Sequence, residues 1–169
     1  MDKAALQELQ RPLKAQYRED PASAAVTLRA SASLSEGISC SVRTGKAMAQ
    51  AGLHPATGGD GSQLCSGDML LEALAACAGV TLRSVATSLE IPIGSGTVTA
   101  TGELDFRGTL AVDREAPVGF ESIELGFELE TDAAEDELDT LIRLTERYCV
   151  VLQTLASPPA VRVTRSRAG

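Results

Sequence analysis

The sequence predicts an α+β fold in which antiparallel strands pack against one long central helix. The first observation behind this prediction is a segment of apolar residues at helical spacing, residues 66–82, in the middle of the chain. The second is an alternation of apolar and polar residues in four other segments: residues 24–31, 38–44, 97–107 and 118–130. One-sided alternation is typical of antiparallel strands that have one buried and one solvated face.

The central helix is expected to begin with Ser66 as its N-cap and to run to about Leu89, because Pro92 and Gly94 follow. Apolar residues occupy nearly all of its faces, so we expect burial on nearly all sides. Cys77 lies near its middle among alanines and a glycine, where another backbone can approach closely. Its thiol is therefore expected inside whatever packs around the helix.

Length and composition predict one domain with an aliphatic core. The chain has 169 residues, 44% of them hydrophobic, but only 3% are aromatic and tryptophan is absent. We expect residues 1–20 to form an N-terminal helical extension and residues 21–169 to form a single domain. The small aromatic content mildly favours a core that is shared with a second chain.

Charge and cysteine usage indicate which partners and which cellular compartment to expect. A net charge of −8 disfavours binding to nucleic acid or to an anionic membrane. The sequence has no signal-peptide pattern and no run of 18 apolar residues, so we expect neither export nor a membrane span. Four cysteines without paired spacing indicate free thiols and a cytoplasmic protein.

The flanking segments carry weaker signals. Residues 2–17 are expected to form a short helix that Pro12 interrupts or restarts. Residues 35–37 have the composition of a hairpin turn between the first two strands. The glycine cluster at residues 58–61 is read as a flexible lead-in to the central helix, since no Lys-Ser/Thr pair follows it to make a phosphate loop.

The second half of the chain is expected to be two strands, a helix and an edge strand. A change of parity at residues 121–122 predicts a bulge in the second of the two strands. A capping box is expected from Asp132 to Glu135. The helix that follows buries Leu138, Leu141, Ile142 and Thr145, and a last edge strand carries Val161 and Val163 after Pro158-Pro159.

Cys77 and Cys149 are the residues best placed for chemistry, since each lies in an apolar helical segment. A buried cysteine is commonly only a small apolar side chain, and it becomes a nucleophile when a cation or a helix N-terminus lowers its pKa. Because Cys77 lies mid-helix, we expect it to need an arginine from elsewhere in the chain. Cys40 is expected to be a packing residue on the inward face of its strand, and Cys65 is expected to be exposed or incidental.

The remaining patterns favour no metal or cofactor. The cysteines and His54 could bind zinc in principle, but no Cys-x-x-Cys or His-x-x-x-His spacing supports such a site. A catalytic triad is also disfavoured, because His54 precedes a proline in a loop and no Gly-x-Ser-x-Gly occurs.

Several motifs occur together between about residues 24 and 165. They are Gly58-Gly59, the segment Ser66-Gly67-Asp68-Met69-Leu70-Leu71-Glu72-Ala73-Leu74-Ala75-Ala76-Cys77, Pro117-Val118-Gly119-Phe120, Tyr148-Cys149-Val150-Val151 and Pro158-Pro159. In this combination the chain resembles the OsmC/Ohr family of thiol peroxidases. The most specific parts are the Leu-x-x-Ala-Leu-x-x-Cys pattern from Leu70 to Cys77 within the central helix and the late Tyr148-Cys149 pair.

The resemblance implies an OsmC/Ohr-like fold, an intertwined α+β homodimer whose antiparallel sheets wrap around long central helices. It also implies that Cys77 is a peroxidatic thiolate that reduces an organic hydroperoxide in oxidative-stress defence. Cys149 would then resolve the oxidised Cys77 as a disulfide, which a dithiol reduces. The family holds its thiolate with an arginine, for which Arg43 is the first candidate and Arg29 the second.

Two departures from the family pattern point to an alternative. Peroxidase members carry a glutamate ten residues before the first cysteine, where this chain has Gly67, with Asp68 and Glu72 nearby. The proline that often follows the second cysteine is Val150 here. The alternative is a non-catalytic OsmC-like protein that binds a small hydrophobic ligand at the dimer interface.

Overall fold

The computed structural model describes residues 3–34, 40–42, 52–62, 64–165 and 167, and for residues 3–7, 9, 26–34 and 40–42 it describes the backbone alone. The predicted hairpin turn at residues 35–37 therefore lies outside the described residues, as does much of the predicted strand 38–44. The helices are α1 (Lys3–Glu19), α2 (Ser66–Ser88), α3 (Phe106–Thr109), α4 (Glu135–Tyr148) and α5 (Val150–Ala156). The strands are β1 (Ala25–Leu34), β2 (Cys40–Val42), β3 (Gly96–Asp105) and β4 (Ser122–Leu129).

The strands form one antiparallel sheet in the order β2-β1-β3-β4. Within it Leu34 pairs with Cys40, and Ala30, Ala100 and Leu125 lie in register across the three longer strands. The predicted inward residues Val98 and Ala100 are fully buried. The α+β fold with an antiparallel sheet beside a long helix is thus confirmed.

The main core lies between this sheet and α2, and α4 and α5 pack against the same helix. One face of α2 is buried and carries Leu71, Leu74, Ala75, Ala78 and Leu82. The expectation of burial on nearly all sides is wrong within one chain, because Met69, Leu70 and Val80 are 36–39% exposed. By length and composition alone α2 could cross a membrane, but the central helix of a protein core meets the same criteria.

A second, smaller core forms under α1. Tyr17 is 3% exposed and packs with Ala24, Phe106 and Leu110, while Leu13 covers the same cluster from the preceding turn. Pro12 does not interrupt α1, contrary to the prediction, and it lies on the exposed side of a continuous helix. The helix α1 therefore runs without a break from Lys3 to Glu19, and its C-terminal half packs against α3 and Leu110.

Three other predictions about the second half were wrong in detail. No bulge occurs at residues 121–122, because β4 begins only at Ser122 and the preceding residues belong to the loop. Of the predicted capping box only one hydrogen bond forms, two residues later: the Ala134 N–H donates to Glu137 Oε2 at 3.0 Å, and the Ala134 side chain has no acceptor for the second bond. Residues 158–165 form no strand within this chain, and Val161 and Val163 are 85% and 90% exposed.

Candidate active site

The site joins two distant parts of the chain, the middle of α2 and the junction of α4 with α5. Cys149 has an extended backbone conformation, with φ −70° and ψ 105°, and it ends α4 and begins α5. Its N–H donates to the Thr145 carbonyl and its own carbonyl accepts from Gln153 N–H, each at 2.9 Å. The chain changes direction at this residue, and the Cys149 side chain is completely buried.

Packing of α4 against α2 sets the position of the junction. Leu141 and Thr145 are fully buried, and Leu138 and Ile142 pack against the same core, as the sequence predicted. The Thr145 hydroxyl donates to the Leu141 carbonyl at 2.8 Å, which removes an unpaired polar group from the interface. Cys149 follows one turn later and is thereby placed against α2.

The two thiols are in hydrogen-bond contact, and the surroundings of Cys77 favour its ionised form. Burial would raise the pKa of the Cys77 thiol, but hydrogen bonds outweigh it and hold the pKa below its ordinary value. These come from the Val151 N–H, the Cys149 thiol, the Val150 N–H and the Thr81 hydroxyl. The start of α5 therefore directs two backbone donors at the Cys77 sulfur.

The surroundings of Cys149 act in the opposite direction. Burial, followed by the hydrogen bond and charge of Cys77, raises the pKa of Cys149 to about 11. Backbone N–H groups of Leu152 and Val151 lower it, but by less. The pair therefore divides into a thiol that ionises readily, Cys77, and one that keeps its proton, Cys149.

Sequence reasoning missed the source of this acidity. The sequence places Cys149 in an apolar helical segment, whereas in the structure α4 ends at Tyr148 and a new helix, α5, begins after Cys149. The β-branched pair Val150-Val151 is a weak signal of such a break, because β-branched residues have a slightly lower helix propensity. A backbone N–H carries no side-chain signature at all, so the sequence alone could not assign the donors.

The side chains of both arginine candidates for Cys77 lie outside the described part of the structure. Arg43 lies outside the described residues, and for Arg29 only the backbone is described, in β1 opposite Thr101. Gly67, at the position of the family glutamate, is in the first turn of α2, about 15 Å along the helix from Cys77. Burial raises the pKa of Asp68, and burial followed by the Asp68 charge raises the pKa of Glu72.

The remaining candidates lie apart from the two thiols. Cys65, rather than Ser66, is the N-cap residue of α2, and it is half-buried against the main core instead of being exposed. Cys40 is in β2, where only the backbone is described. No cluster of metal-ligating side chains occurs within the described ranges.

Comparisons with known proteins identify the family and the fold of the chain. The family model described as OsmC-like protein matches residues 59–164, which include α2, both thiols and the α4–α5 junction. A crystal structure of an OsmC-like hydroperoxide resistance protein from Jannaschia sp. CCS1 superimposes with a TM-score of 0.62 at 16% identity. The alignment covers 86% of this chain and 95% of that one.

No curated protein matches the chain. At 16% identity the superposition establishes the fold alone. The family match spans more than half of the sequence and includes the segment around Cys77 and the Tyr148-Cys149 pair. The chain therefore belongs to the OsmC-like protein family.

Proposed function

We propose that this protein is a cysteine-based peroxidase that reduces organic hydroperoxides in a reducing cytoplasm. One observation carries the proposal: two thiols lie in contact, and their surroundings shift their pKa values in opposite directions. A peroxidase of this type needs one ionised sulfur that attacks the peroxide and a neighbouring protonated thiol that later resolves the oxidised sulfur. The family match and the hydroperoxide resistance neighbour are consistent with that chemistry.

In the first step the Cys77 thiolate attacks the terminal oxygen of the hydroperoxide. A sulfur–oxygen bond forms, the oxygen–oxygen bond breaks, and the alkoxide leaves with a proton as an alcohol. Cys77 becomes a sulfenic acid, oxidised by two electrons. Because Cys77 is half-buried whereas Cys149 is completely buried, the peroxide meets the Cys77 sulfur first.

In the second step the Cys149 sulfur attacks the sulfenic sulfur, and a disulfide and one water molecule form. Cys149 must lose its proton for this attack. Its pKa is raised partly by the hydrogen bond and charge of Cys77, and both change when Cys77 becomes a neutral sulfenic acid. Oxidation of Cys77 therefore makes Cys149 easier to ionise, which orders the two steps.

In the third step an external dithiol reduces the disulfide by thiol–disulfide exchange. The dithiol thiolate attacks the Cys77 sulfur, because Cys149 is inaccessible, and Cys149 leaves first as a thiolate that takes a proton. The second thiol of the reductant then releases Cys77. The cycle consumes one hydroperoxide and one dithiol, and it yields one alcohol, one water and the oxidised reductant.

We also propose that the chain functions as a homodimer. Met69, Leu70 and Val80 leave an apolar strip on α2 exposed, although this helix is otherwise the centre of the core. A strip of this kind on a core helix is typical of a surface that a second copy covers. Val80→Glu should shift the protein to monomer in analytical ultracentrifugation, and an already monomeric wild type would overturn the proposal.

The activity is tested by turnover of cumene hydroperoxide with dithiothreitol as reductant. Wild type should turn over; Cys77→Ser should be inactive, and Cys149→Ser should react once and stop at the sulfenic acid. Tyr148→Phe is the matched control, because Tyr148 adjoins Cys149 but is 56% exposed. Wild type without turnover, or Cys77→Ser with unchanged turnover, would favour a non-catalytic, ligand-binding protein instead.

A further inference from the structure

A cavity of about 320 Å³ lies at the N-terminal end of α2, apart from the two thiols. Cys65, which borders it, is twelve residues before Cys77, or about 18 Å along the helix. The volume of this cavity is at the lower end of the range of small-molecule sites, which is about 300–1,000 Å³. The chemistry proposed for Cys77 and Cys149 does not use this cavity.

The described lining is mostly apolar and carries no acidic or basic side chain apart from one histidine. Leu53, Leu104, Phe106 and Val118 form its apolar walls, and His54 and Cys65 are among its polar residues. A cavity with apolar walls and a few directed polar groups is the usual form of a binding site for a small organic molecule.

The His54 ring is held in one orientation. Its Nδ1 accepts a hydrogen bond from the Ala56 N–H at 3.0 Å, so the ring proton of the neutral form is on Nε2. The ring stacks on Phe106 with a centroid distance of 4.8 Å and an interplanar angle of 17°. Within the described residues, no hydrogen-bond acceptor is found for Nε2, which is left as a donor.

Hydrogen bonds tie the loop that carries His54 to itself and to α1. The Thr57 N–H and hydroxyl donate to the His54 carbonyl at 2.8 and 2.9 Å. The Tyr17 hydroxyl of α1 donates to the Ala56 carbonyl at 2.6 Å. A side chain at Gly59 would overlap the Leu53 carbonyl oxygen, so only glycine fits there. Several hydrogen bonds thus hold the His54 loop in its place at the cavity wall, which lowers the entropic cost of binding.

From these observations we infer that the cavity binds an uncharged amphiphile, a medium-chain carbonyl compound whose oxygen accepts a hydrogen bond from His54 Nε2–H. The apolar walls accommodate the hydrocarbon chain. Burial lowers the pKa of His54, and the Asp68 carboxylate raises it by less, so the imidazole is neutral at pH 7 and gives a carboxylate no counter-charge. Asp68 and the net charge of −8 also repel an anion.

The test uses the fact that His54 is the sole histidine of the chain. Its ring resonances in NMR spectra are therefore unambiguous reporters of the cavity. Methyl hexyl ketone is titrated into the full-length protein, and octanoate, which has the same number of carbon atoms, serves as the charged comparison. Saturable shifts of the His54 ring signals with the ketone, and none with octanoate, are expected.

Matched variants separate this site from the rest of the molecule. Val118→Glu introduces a charge at the cavity, where Val118 is 66% exposed and tolerates substitution, and it should abolish the ketone shifts. Val163→Glu, at a more exposed valine outside the described lining, should leave them unchanged. Cys77→Ser should also still bind, because the cavity does not depend on the proposed peroxidase chemistry.

Three results would overturn the inference. They are no saturable shift with the ketone, equal shifts in wild type and Val118→Glu, and binding of octanoate as tight as that of the ketone. None of these results bears on peroxidase turnover, so the two proposals fail independently.

Discussion

Replacing Val150 by proline isolates one backbone donor in the candidate active site. Val150 is the first residue of α5, and its N–H is directed at the Cys77 sulfur rather than at a helical carbonyl. Proline is well tolerated at a first helical position, and Cys149 already has the extended conformation that a residue before proline requires. Val150→Pro should therefore remove a single hydrogen bond while α5 stays folded.

The size of the effect follows from the strength of that bond. A hydrogen bond to a charged group contributes about 1.5–3 kcal/mol, and the lower end applies because sulfur is a weak acceptor. Since about 1.4 kcal/mol corresponds to a factor of ten, the Cys77 thiolate population at mildly acidic pH should fall about tenfold. The N–H of Val151, the Cys149 thiol and the Thr81 hydroxyl remain in place.

The assay is alkylation of Cys77 by iodoacetamide over a range of pH, followed by mass spectrometry. Val150→Ala is the matched control: it keeps the N–H and removes a side chain that is 71% exposed. We expect alkylation of Val150→Pro to shift to higher pH while Val150→Ala follows wild type. Identical profiles for Val150→Pro and Val150→Ala would refute the argument that this backbone donor acidifies the thiol.

Two further predictions concern stability. Leu141→Ala should reduce the free energy of unfolding by about 2–5 kcal/mol in urea titrations, since it empties a fully buried contact between α4 and α2, whereas Val161→Ala at an 85% exposed position should change little. The Asp105 carboxylate accepts from the Arg107 side chain at 2.6 Å, and this bond, against the opposing effect of burial, lowers its pKa. The stabilisation that ionised Asp105 contributes should be fully present above the pH range in which carboxyl groups ordinarily titrate. It should be lost as the pH falls through the lowered pKa of Asp105. The difference in melting temperature between wild type and Asp105→Asn should therefore shrink on acidification, and a pH-independent difference would contradict this.

The sequence was sufficient to predict the elements whose hydrophobic period is regular. Alternation in residues 97–107 and 118–130 located two of the strands, and the apolar run from Ser66 located α2 to within one residue at each end. The resemblance brought Cys77 and Cys149 forward together, and the fold places their side chains in contact. These features follow from local pattern and from motifs spread along the chain.

The rest depends on relations that no local pattern encodes. Val161 and Val163 alternate like a strand, but no strand among the residues that the structure describes pairs with them, and both are exposed. The sequence predicts that Cys65 is exposed or incidental, yet in the fold it lies in a cavity wall beside His54. The acidity of Cys77 arises from backbone donors that are visible only after the chain turns at Cys149.

Mass spectrometric mapping of the cysteines after one equivalent of cumene hydroperoxide, without reductant, tests whether Cys77 and Cys149 act as a peroxidatic and resolving pair. A disulfide between Cys77 and Cys149, formed at the rate at which the peroxide disappears, is the expected result. Recovery of both cysteines as free thiols, or of Cys77 as a sulfinic acid beside an unmodified Cys149, would contradict it.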